Sequence, residues 1–422
     1  MWKWCDKDEA LHASKLVSEK LLEEGRHLFP SNQERGSHLI KHAMRSHDLK
    51  RLEAMLKLAA SEPGMSAAIK EFDSDPWLLG VSNGVVDLRT GTLLRNKPDM
   101  LITRQCNALH DIEARCPRWQ LFLEEIFNDL DTIETVQRAL GYSLTGIVTE
   151  EVLFICFGHG SNGKSVFNNV ISAIFGNYGR VAPSSLLTIR RDGDSSPRND
   201  LASLAGARYV TINELQSGDR LDEQIVKLLA GREKISARFL HKEFFEFSPT
   251  FKPWLRTNHK PIITGDNDGI WRRLVLIPFS QKFTDKNKDL YLEDKLLVER
   301  DAILTWMIEG AKKWKKDGLQ LSKRILSECA SYRKDSDLLG EFVDEICTVD
   351  PNEKTEQPIL YGQYRIWCNN NGVRPIAKAS FTRRLAERGF LEKKSNGKRY
   401  YGGLQISIYL TSLPSFNSAQ GG

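Results

Sequence analysis

The spacing of apolar residues predicts helices at the start of the chain and then a small β element. From about residue 8 to 72, apolar positions recur three and four residues apart, as on the buried face of an amphipathic helix. Between about 77 and 104, short runs of β-branched and aliphatic residues are interrupted by Asn83-Gly84 and Thr90-Gly91. Such dipeptides favour tight turns, so this segment is expected to form short antiparallel strands.

A second helical stretch leads into the strongest strand pattern of the sequence. The run Val152–Phe157 is continuously apolar, which is typical of a strand buried on both faces of a parallel sheet. A helical period follows Lys164, and three more apolar runs come later, at 208–212, 251–258 and 274–279. Strands that alternate with helices predict a doubly wound α/β core between about 150 and 282.

After this core the pattern becomes helical again and ends in a small mixed unit. Residues 288–335 have helical spacing, and the next unit has helices followed by two strands around Asn396-Gly397. We therefore expect an α+β N-terminal domain (1–115), the α/β core (116–285), a helical subdomain (286–342), a helix-and-hairpin domain (343–410) and a polar, disordered tail (411–422).

Composition is that of a soluble globular protein with more than one domain. The chain has 422 residues, 41% of them hydrophobic and 27% charged, and this length favours two or three domains. No apolar run approaches the roughly 20 residues of a membrane helix, and the N-terminus lacks a signal peptide, so a cytoplasmic location is expected. The seven cysteines are scattered without metal-ligand spacing, which predicts free thiols. A net charge of +5 permits nucleic-acid binding without indicating it.

The segment between the buried strand and the next helix has the pattern of a phosphate-binding loop. It fits GxxxxGK[ST] at every fixed position, with the residues Gly158, His159, Gly160, Ser161, Asn162, Gly163, Lys164 and Ser165. Glycines allow backbone N–H groups to surround phosphate oxygens, and the helix N-terminus adds positive potential. Lys164 is expected to neutralise the β- and γ-phosphates of ATP, and the hydroxyl of Ser165 to hold Mg²⁺.

Hydrolysis also needs a carboxylate near the γ-phosphate, and Glu214 is the candidate. It follows the apolar run at 208–212, about 50 residues after the loop, and is expected to act as the general base at the end of a neighbouring strand. Asn213 occupies the position where many such ATPases have Asp, so a direct metal ligand is not expected there. A strand-end carboxylate exposed to solvent is the alternative for Glu214.

From about Trp77 to Phe279 the sequence resembles the superfamily 3 helicase domain of phage, plasmid and poxvirus primase-helicases, together with the domain that precedes it. The segments WLLGVSNGVVDLRTGTLL, CPRWQLFLEEIF and ALGYSLTG resemble the upstream domain, and residues 221–279 resemble the rest of the motor domain after its phosphate-binding loop. The resemblance implies a P-loop core of the AAA+ type with flanking helical subdomains. It also implies a homo-oligomeric ring of six subunits.

Three further sites follow from this resemblance. Asn258 matches the sensor-1 position, where an amide orients the attacking water, although a turn-forming Asn before Pro is the alternative. In Ile235–Phe247 basic and aromatic residues alternate. The resemblance implies that this segment is a hairpin that grips DNA, with His241 and Lys242 near its tip. A solvated surface hairpin is the alternative. Arg273, or else Arg272, is expected to be an arginine finger that acts on the neighbouring subunit, unless both only pair with surface carboxylates.

The net positive charge is concentrated near the C-terminus. Residues 361–403 include ten basic residues and only two acidic ones. The order helix, turn, helix, hairpin suggests a winged-helix-like domain, with 380–388 as recognition helix and 393–399 as wing. The candidate DNA contacts are Arg383, Arg384, Arg388, Lys393, Lys394 and Lys398; the alternative is a winged helix that docks protein.

Two functions remain open on these grounds. The first is an ATP- and Mg²⁺-dependent DNA helicase of a phage-like or plasmid-like replication system, located in the bacterial host cytoplasm. The second is an ATP-switched initiator or loader that assembles on DNA without processive unwinding. A small-molecule kinase is disfavoured because it would not explain the hairpin and Arg272-Arg273. No primase module is identified, so a separate primase or polymerase is an expected partner.

Overall fold

The computed structural model describes residues 2, 7–62, 67–189, 198–216, 218–263, 268–284, 289–373 and 375–410. The predicted tail at 411–422 lies outside these residues. The chain begins with three helices that pack on one another: α1 (Lys7–Leu28), α2 (Gln33–Ser46) and α3 (Leu49–Ala59). Side chains cap two of them, because Asn32 accepts from the backbone N–H of Arg35 and Asp48 from that of Lys50. The helical prediction is confirmed as far as Ala59. Between Ala59 and β1 the described residues include only one short 3-10 helix, Ile69–Glu71, so the predicted extension to residue 72 is wrong.

A small antiparallel sheet follows, as the turn dipeptides predict. Its strands are β1 (Leu78–Val81), β2 (Gly84–Asp87) and β3 (Thr92–Leu94), paired in the order β1-β2-β3. β1 is almost completely buried, and Arg208 donates to the carbonyl of Leu78 across 2.8 Å. The sheet is therefore tied directly to the α/β core that comes later in the chain.

The α/β core has a five-stranded sheet that is parallel at every pairing. Its strand order is β10 (Leu274–Pro278), β4 (Leu153–Phe157), β9 (Lys252–Thr257), β6 (Tyr209–Ile212) and β5 (Gly179–Ala182). The elements of this region, in chain order, are α4 (Pro117–Phe127), α5 (Leu130–Leu144), β4 (Leu153–Phe157), α6 (Lys164–Phe175), β5 (Gly179–Ala182), α7 (Asn199–Ala202), β6 (Tyr209–Ile212), α8 (Glu223–Ala230), β7 (Ile235–Ala237), β8 (Phe245–Phe247), β9 (Lys252–Thr257), α9 (Asp268–Trp271) and β10 (Leu274–Pro278). β7 and β8 form a separate hairpin.

Four of the five core strands coincide with the apolar runs of the sequence, and β5 does not. It lies at the edge of the sheet and pairs only with β6 among the described strands. The side chain of Val181 is 64% exposed, and the preceding residue is Arg180. An edge strand can carry exposed and charged side chains, so its sequence lacks the continuous apolar run of a buried strand.

Three more helices complete the central region: α10 (Leu292–Val298), α11 (Arg300–Asp317) and α12 (Lys323–Asp335). One hydrophobic core includes Leu79 of β1, Phe154 of β4 and Met307 of α11. The boundaries predicted at 115/116 and 285/286 therefore do not coincide with gaps in the hydrophobic packing. A polar contact crosses the boundary at 285/286, because the carboxylate of Glu299 accepts from the N–H groups of Arg118 and Trp119 at the start of α4.

The C-terminal unit has its own hydrophobic core and an additional strand. Its elements are α13 (Leu338–Ile346), β11 (Cys347–Glu356), α14 (Gln357–Asn370), α15 (Lys378–Glu387), β12 (Glu392–Ser395) and β13 (Lys398–Ile406). Leu339 and Phe342 belong to this core, so the packed unit begins near 338 instead of at 343. β11 was not expected, because most of its residues are polar or charged and form no apolar strand pattern; it pairs with β13, and the predicted hairpin at Asn396-Gly397 is present.

The prediction of free thiols is confirmed for the described cysteines. The six described cysteines are all free thiols, and no group of metal-ligating side chains occurs among the residues described. In the same part of the chain, no helix combines the length and the apolar character that crossing a bilayer would require.

Candidate nucleotide-binding site

A pocket of about 720 Å³ opens at the carboxyl edge of the parallel sheet, where ligands of open α/β sheets bind. β4, β6 and β9 all end there, and each is followed by polar residues. The pocket is lined by Arg118, Phe122, Glu125, Gly160, Ser161, Asn162, Gly163, Lys164, Ser165, Val166, Glu214, Arg256, Asn258, Phe283, Asp289 and Leu292. The structure thus brings together Lys164, Ser165, Glu214 and Asn258, which the sequence places up to 94 positions apart.

The loop between β4 and α6 is held against the end of β10. A Cβ on Gly158 would lie 2.2 Å from the carbonyl oxygen of Phe279, so this position requires glycine. Gly163 has a φ of 85°, in the region that favours glycine. The Asn162 side chain donates to the Phe279 carbonyl across 3.1 Å and accepts from the N–H of Lys164. These contacts preorganise the loop around the pocket.

The other loop residues differ in which cavity they line. A Cβ on Gly160 would meet nothing within 4 Å, so the backbone there is open to a bound group. Gly158 and His159 line a smaller neighbouring cavity of about 260 Å³ instead of the main pocket. Their predicted role in ATP binding stays a prediction.

Lys164 is buried and its ammonium group is directed at polar atoms. It is 4% exposed, and it donates to the carbonyl of Gly158 and, across 2.7 Å, to Oδ1 of Asn258. Burial lowers the pKa of Lys164, and the nearby carboxylate of Glu214 opposes this shift. A buried cation at a helix N-terminus is suited to binding an anion.

The residues around Lys164 match the chemistry that phosphoryl transfer needs. Glu214 is exposed at the pocket wall just after β6. Ser165 lies at the start of α6 with its side chain open to the pocket, where a hydroxyl could hold a hard divalent cation. Asn213 is not part of the pocket lining.

Sequence reasoning missed two groups of pocket residues. Arg256 comes from β9, two residues before Asn258; its position on the same strand face was a signal that could have found it. Arg118 and Glu125 of α4 form an ion pair of 3.2 Å at the opposite wall, near the apolar side chains of Phe283 and Leu292. Those residues are brought in by packing of distant helices, which no local pattern indicates.

The two candidate finger residues have different surroundings. The guanidinium of Arg273 lies 2.7 Å from Glu151 and also donates to the carbonyl of Gly269. Arg272 is exposed, and its side chain forms no hydrogen bond or ion pair with the residues that the structure describes. Both lie at the start of β10, whereas the P-loop follows the end of β4, its parallel neighbour.

The predicted hairpin is present as β7 and β8, with Ile235 opposite Phe247. Both His241 and Lys242 are exposed in its tip, and His241 has a φ of 60°. The aromatic side chain of Phe244 is 64% exposed, and the guanidinium of Arg238 lies over its ring at 4.7 Å. The tip therefore presents basic and aromatic groups to solvent.

The basic residues of the C-terminal unit do not form one uniform surface. Lys393 and Lys394 are exposed on β12, whereas Lys398 pairs with Glu356 at 2.6 Å and Arg388 pairs with Asp337. Arg383 and Arg384 line a cleft of about 890 Å³ that also contains Glu223 and Asp268 of the α/β core. The predicted recognition helix, α15, thus has part of its basic face directed toward the core.

Three family models match parts of the chain. They are "D5 N terminal like" over residues 1–128, a family of unknown function over 156–273, and "Poxvirus D5 protein-like" over 334–405. The last of these ranges covers the C-terminal unit from α13 onward.

The chain is also similar to proteins of large DNA viruses. It is 30% identical over 335 residues to a provisionally named helicase of Acanthamoeba polyphaga mimivirus, covering 74% of this chain and 35% of that protein. It is 25% identical over 329 residues to a provisionally named primase of African swine fever virus, covering 72% and 34%. The chain therefore spans about a third of the length of these curated relatives. Among solved structures, the apo C-terminal region of NrS-1 matches with a TM-score of 0.48 and 11% identity, over 84% of this chain and 90% of that one.

Proposed function

Because the chain belongs to the superfamily 3 primase-helicases, with the family's characteristic D5-like domain upstream of the motor, we propose that it is an ATP-dependent DNA helicase motor. It would act in the replication system of a large DNA virus, phage or plasmid. The observation that carries the proposal is the convergence of Lys164, Ser165, Glu214 and Asn258 in one pocket at the carboxyl edge of the sheet.

Each of these residues has a role that its position supports. Lys164 and the loop N–H groups would bind the β- and γ-phosphates of ATP. Glu214 would take a proton from the attacking water, and the amide of Asn258 would orient that water. Mg²⁺, held by the hydroxyl of Ser165 and the phosphates, would neutralise negative charge on the nucleotide.

The strand order supports a P-loop core of the AAA+ type. β9, which ends next to Asn258, lies between the P-loop strand β4 and the strand β6 that precedes Glu214. The sensor residue therefore stands between the loop and the general base. The C-terminal order α13, β11, α14, α15, β12, β13 likewise supports a winged-helix-like domain.

The position of Arg272 and Arg273 supports a ring in which neighbouring subunits complete each other's sites. β4 and β10 pair in parallel over five residues, so the start of β10 and the P-loop are separated by about 16 Å along the strands. An arginine side chain cannot span that distance to its own P-loop. A finger at this position would thus act on an adjacent subunit, and the exposed Arg272 is better placed for this than Arg273.

DNA contact is assigned to the hairpin tip and to the exposed basic residues of the C-terminal unit. His241 and Lys242 would contact phosphate and sugar in the pore of a homohexamer, and Lys393, Lys394 and Arg383 would add phosphate contacts on duplex DNA. A separate primase or polymerase would supply the other replication activities.

Strand displacement on a forked DNA substrate tests this function. The wild-type protein is expected to release the displaced strand only with hydrolysable ATP and Mg²⁺. An ATP-switched initiator or loader is the second candidate, because the C-terminal basic unit could hold DNA without translocation. It would bind the fork and hydrolyse ATP without displacing the strand.

A further inference from the structure

Arg256 lies on the P-loop side of the sheet, at its carboxyl edge. Within β9, it stands opposite Cys156 of β4 in the parallel register. Side chains alternate between the two faces of a strand, so Arg256 shares a face with Trp254, whose ring is 6.5 Å from that of Phe167 in α6. The guanidinium is therefore directed into the space between the sheet edge and the start of α6.

The guanidinium of Arg256 forms no ion pair with any residue that the structure describes. Its side chain is half-buried and lines the pocket, yet it makes no hydrogen bond or ion pair within the described parts of the chain. By contrast, Arg208 at the start of the neighbouring strand β6 donates to the carbonyls of Leu144 and Leu78 across 2.7 and 2.8 Å. The five N–H donors of the Arg256 guanidinium thus have no acceptor among the described residues.

The charges in the pocket also favour binding of an anion beside Arg256. Burial lowers the pKa of Lys164, Glu214 opposes that shift, and the positive charge of Arg256 adds to it. Two cations therefore lie close together beside a single carboxylate, Glu214, that is not in an ion pair. Such an arrangement is unfavourable until an anion with several oxygens enters between them.

We propose that Arg256 binds the γ-phosphate of the nucleotide in the same subunit. The inference rests on the proposed function and adds a residue to the site. Arg256 is on the strand that ends beside Asn258, and the adjacent strand β6 leads to Glu214, so the guanidinium lies next to the place where the terminal phosphate and the attacking water meet. Lys164 and the loop then contact both the β- and the γ-phosphate, whereas Arg256 contacts the γ-phosphate alone and so distinguishes a triphosphate from a diphosphate.

Nucleotide affinity measured by calorimetry with Mg²⁺ tests this inference. The full chain would be titrated with ADP and with the non-hydrolysable triphosphate adenylyl imidodiphosphate. Arg256→Gln is expected to weaken triphosphate binding roughly ten- to hundredfold, the range for losing hydrogen bonds to a charged group, while ADP affinity changes less than about twofold. Arg256→Lys keeps the charge without the forked donors and is expected to lose less.

Arg180→Gln is the matched control. Arg180 is a half-buried arginine of the edge strand β5 that does not line the pocket, so both affinities should stay at the wild-type values. Thermal unfolding of all variants identifies any loss of folding, and Arg256→Lys then provides the comparison if Arg256→Gln is unstable. If the wild-type protein binds neither nucleotide, the proposed function fails. If it binds both and the Arg256 variants weaken both equally or neither, the γ-phosphate assignment alone is overturned.

Discussion

The ammonium group of Lys164 lies 2.7 Å from Oδ1 of Asn258, and this contact joins the P-loop to the end of the neighbouring strand. The two residues are 94 positions apart in sequence, and parallel pairing of β4 with β9 brings them together. Without a phosphate, the amide oxygen satisfies one donor of the buried ammonium. Binding of ATP would exchange this contact for phosphate oxygens and leave the amide of Asn258 able to orient water.

Lys164→Ala should reduce ATP hydrolysis by roughly two orders of magnitude or more, because the γ-phosphate loses a preorganised cation. DNA binding through the C-terminal unit should persist. Steady-state ATPase and equilibrium DNA-binding assays measure the two effects. The exposed Lys312, which pairs with Glu309 on α11, provides a control: Lys312→Ala should hydrolyse ATP normally. Wild-type turnover by Lys164→Ala would remove the P-loop assignment.

Glu214→Gln should trap bound ATP, because the amide keeps the size of the side chain but cannot accept the proton of the attacking water. Filter binding of labelled ATP should show a long-lived complex together with turnover lowered about a hundredfold or more. Glu233→Gln changes an exposed carboxylate outside the pocket and should behave as wild type. Rapid turnover by Glu214→Gln would assign the base to another residue.

Arg272→Ala should impair ATP hydrolysis, whereas Arg273→Ala should impair folding stability. Arg272→Ala should keep its stability and ATP affinity but hydrolyse poorly, and mixing it with Lys164→Ala should restore part of the ATPase, since some interfaces then combine an intact finger with an intact P-loop. Arg273→Ala should lower the free energy of unfolding by about 2 kcal/mol, because Glu151 loses a charged partner. Denaturant titration separates the two effects. Mixed rings as inactive as the separate variants would argue against a finger in trans.

The double variant His241→Ala with Lys242→Ala should uncouple hydrolysis from unwinding. ATPase without DNA should be unchanged, since both residues lie in the exposed tip of the β7–β8 hairpin and outside the pocket. Stimulation by DNA and displacement of the fork strand should fall together. The control pair His27→Ala with Lys41→Ala lies on the N-terminal helices. Unwinding at the wild-type rate by the hairpin variant would reject a role of this tip in DNA translocation.

The exposed wing lysines should contribute to the salt dependence of DNA binding. Replacing Lys393 and Lys394 with Ala should reduce the slope of log affinity against log salt by about two, if each neutralises one phosphate. Arg388→Ala should instead destabilise the C-terminal unit, because Arg388 pairs with Asp337 at the start of α13. Affinity at several salt concentrations, with unfolding monitored in parallel, distinguishes these outcomes. An unchanged slope in the lysine variant would favour a protein-docking winged helix.

Local sequence determined the parts of this protein whose residues are neighbours in the chain. β4, the loop at 158–163 and α6 occupy one continuous segment, so the pattern from Val152 through the start of α6 was sufficient to predict a strand, a loop and a helix in this order. The same holds for the hairpin at Asn396-Gly397, whose two central residues both have a positive φ and so set the turn geometry. In the first hairpin the central residues are Ser82 and Asn83, because Gly84 already pairs with Val81.

Tertiary structure alone decided which distant side chains meet. Strand pairing directs Arg256 into the pocket at the carboxyl edge of the sheet. The ion pair of Arg273 with Glu151 makes Arg272 the better candidate for the proposed arginine finger. The edge strand β5 was not predicted from the sequence, because a strand whose side chains are partly exposed to solvent lacks the apolar pattern of a buried strand. These features depend on which surfaces pack together, and the hydrophobic periodicity of a segment specifies its buried face without specifying its partner.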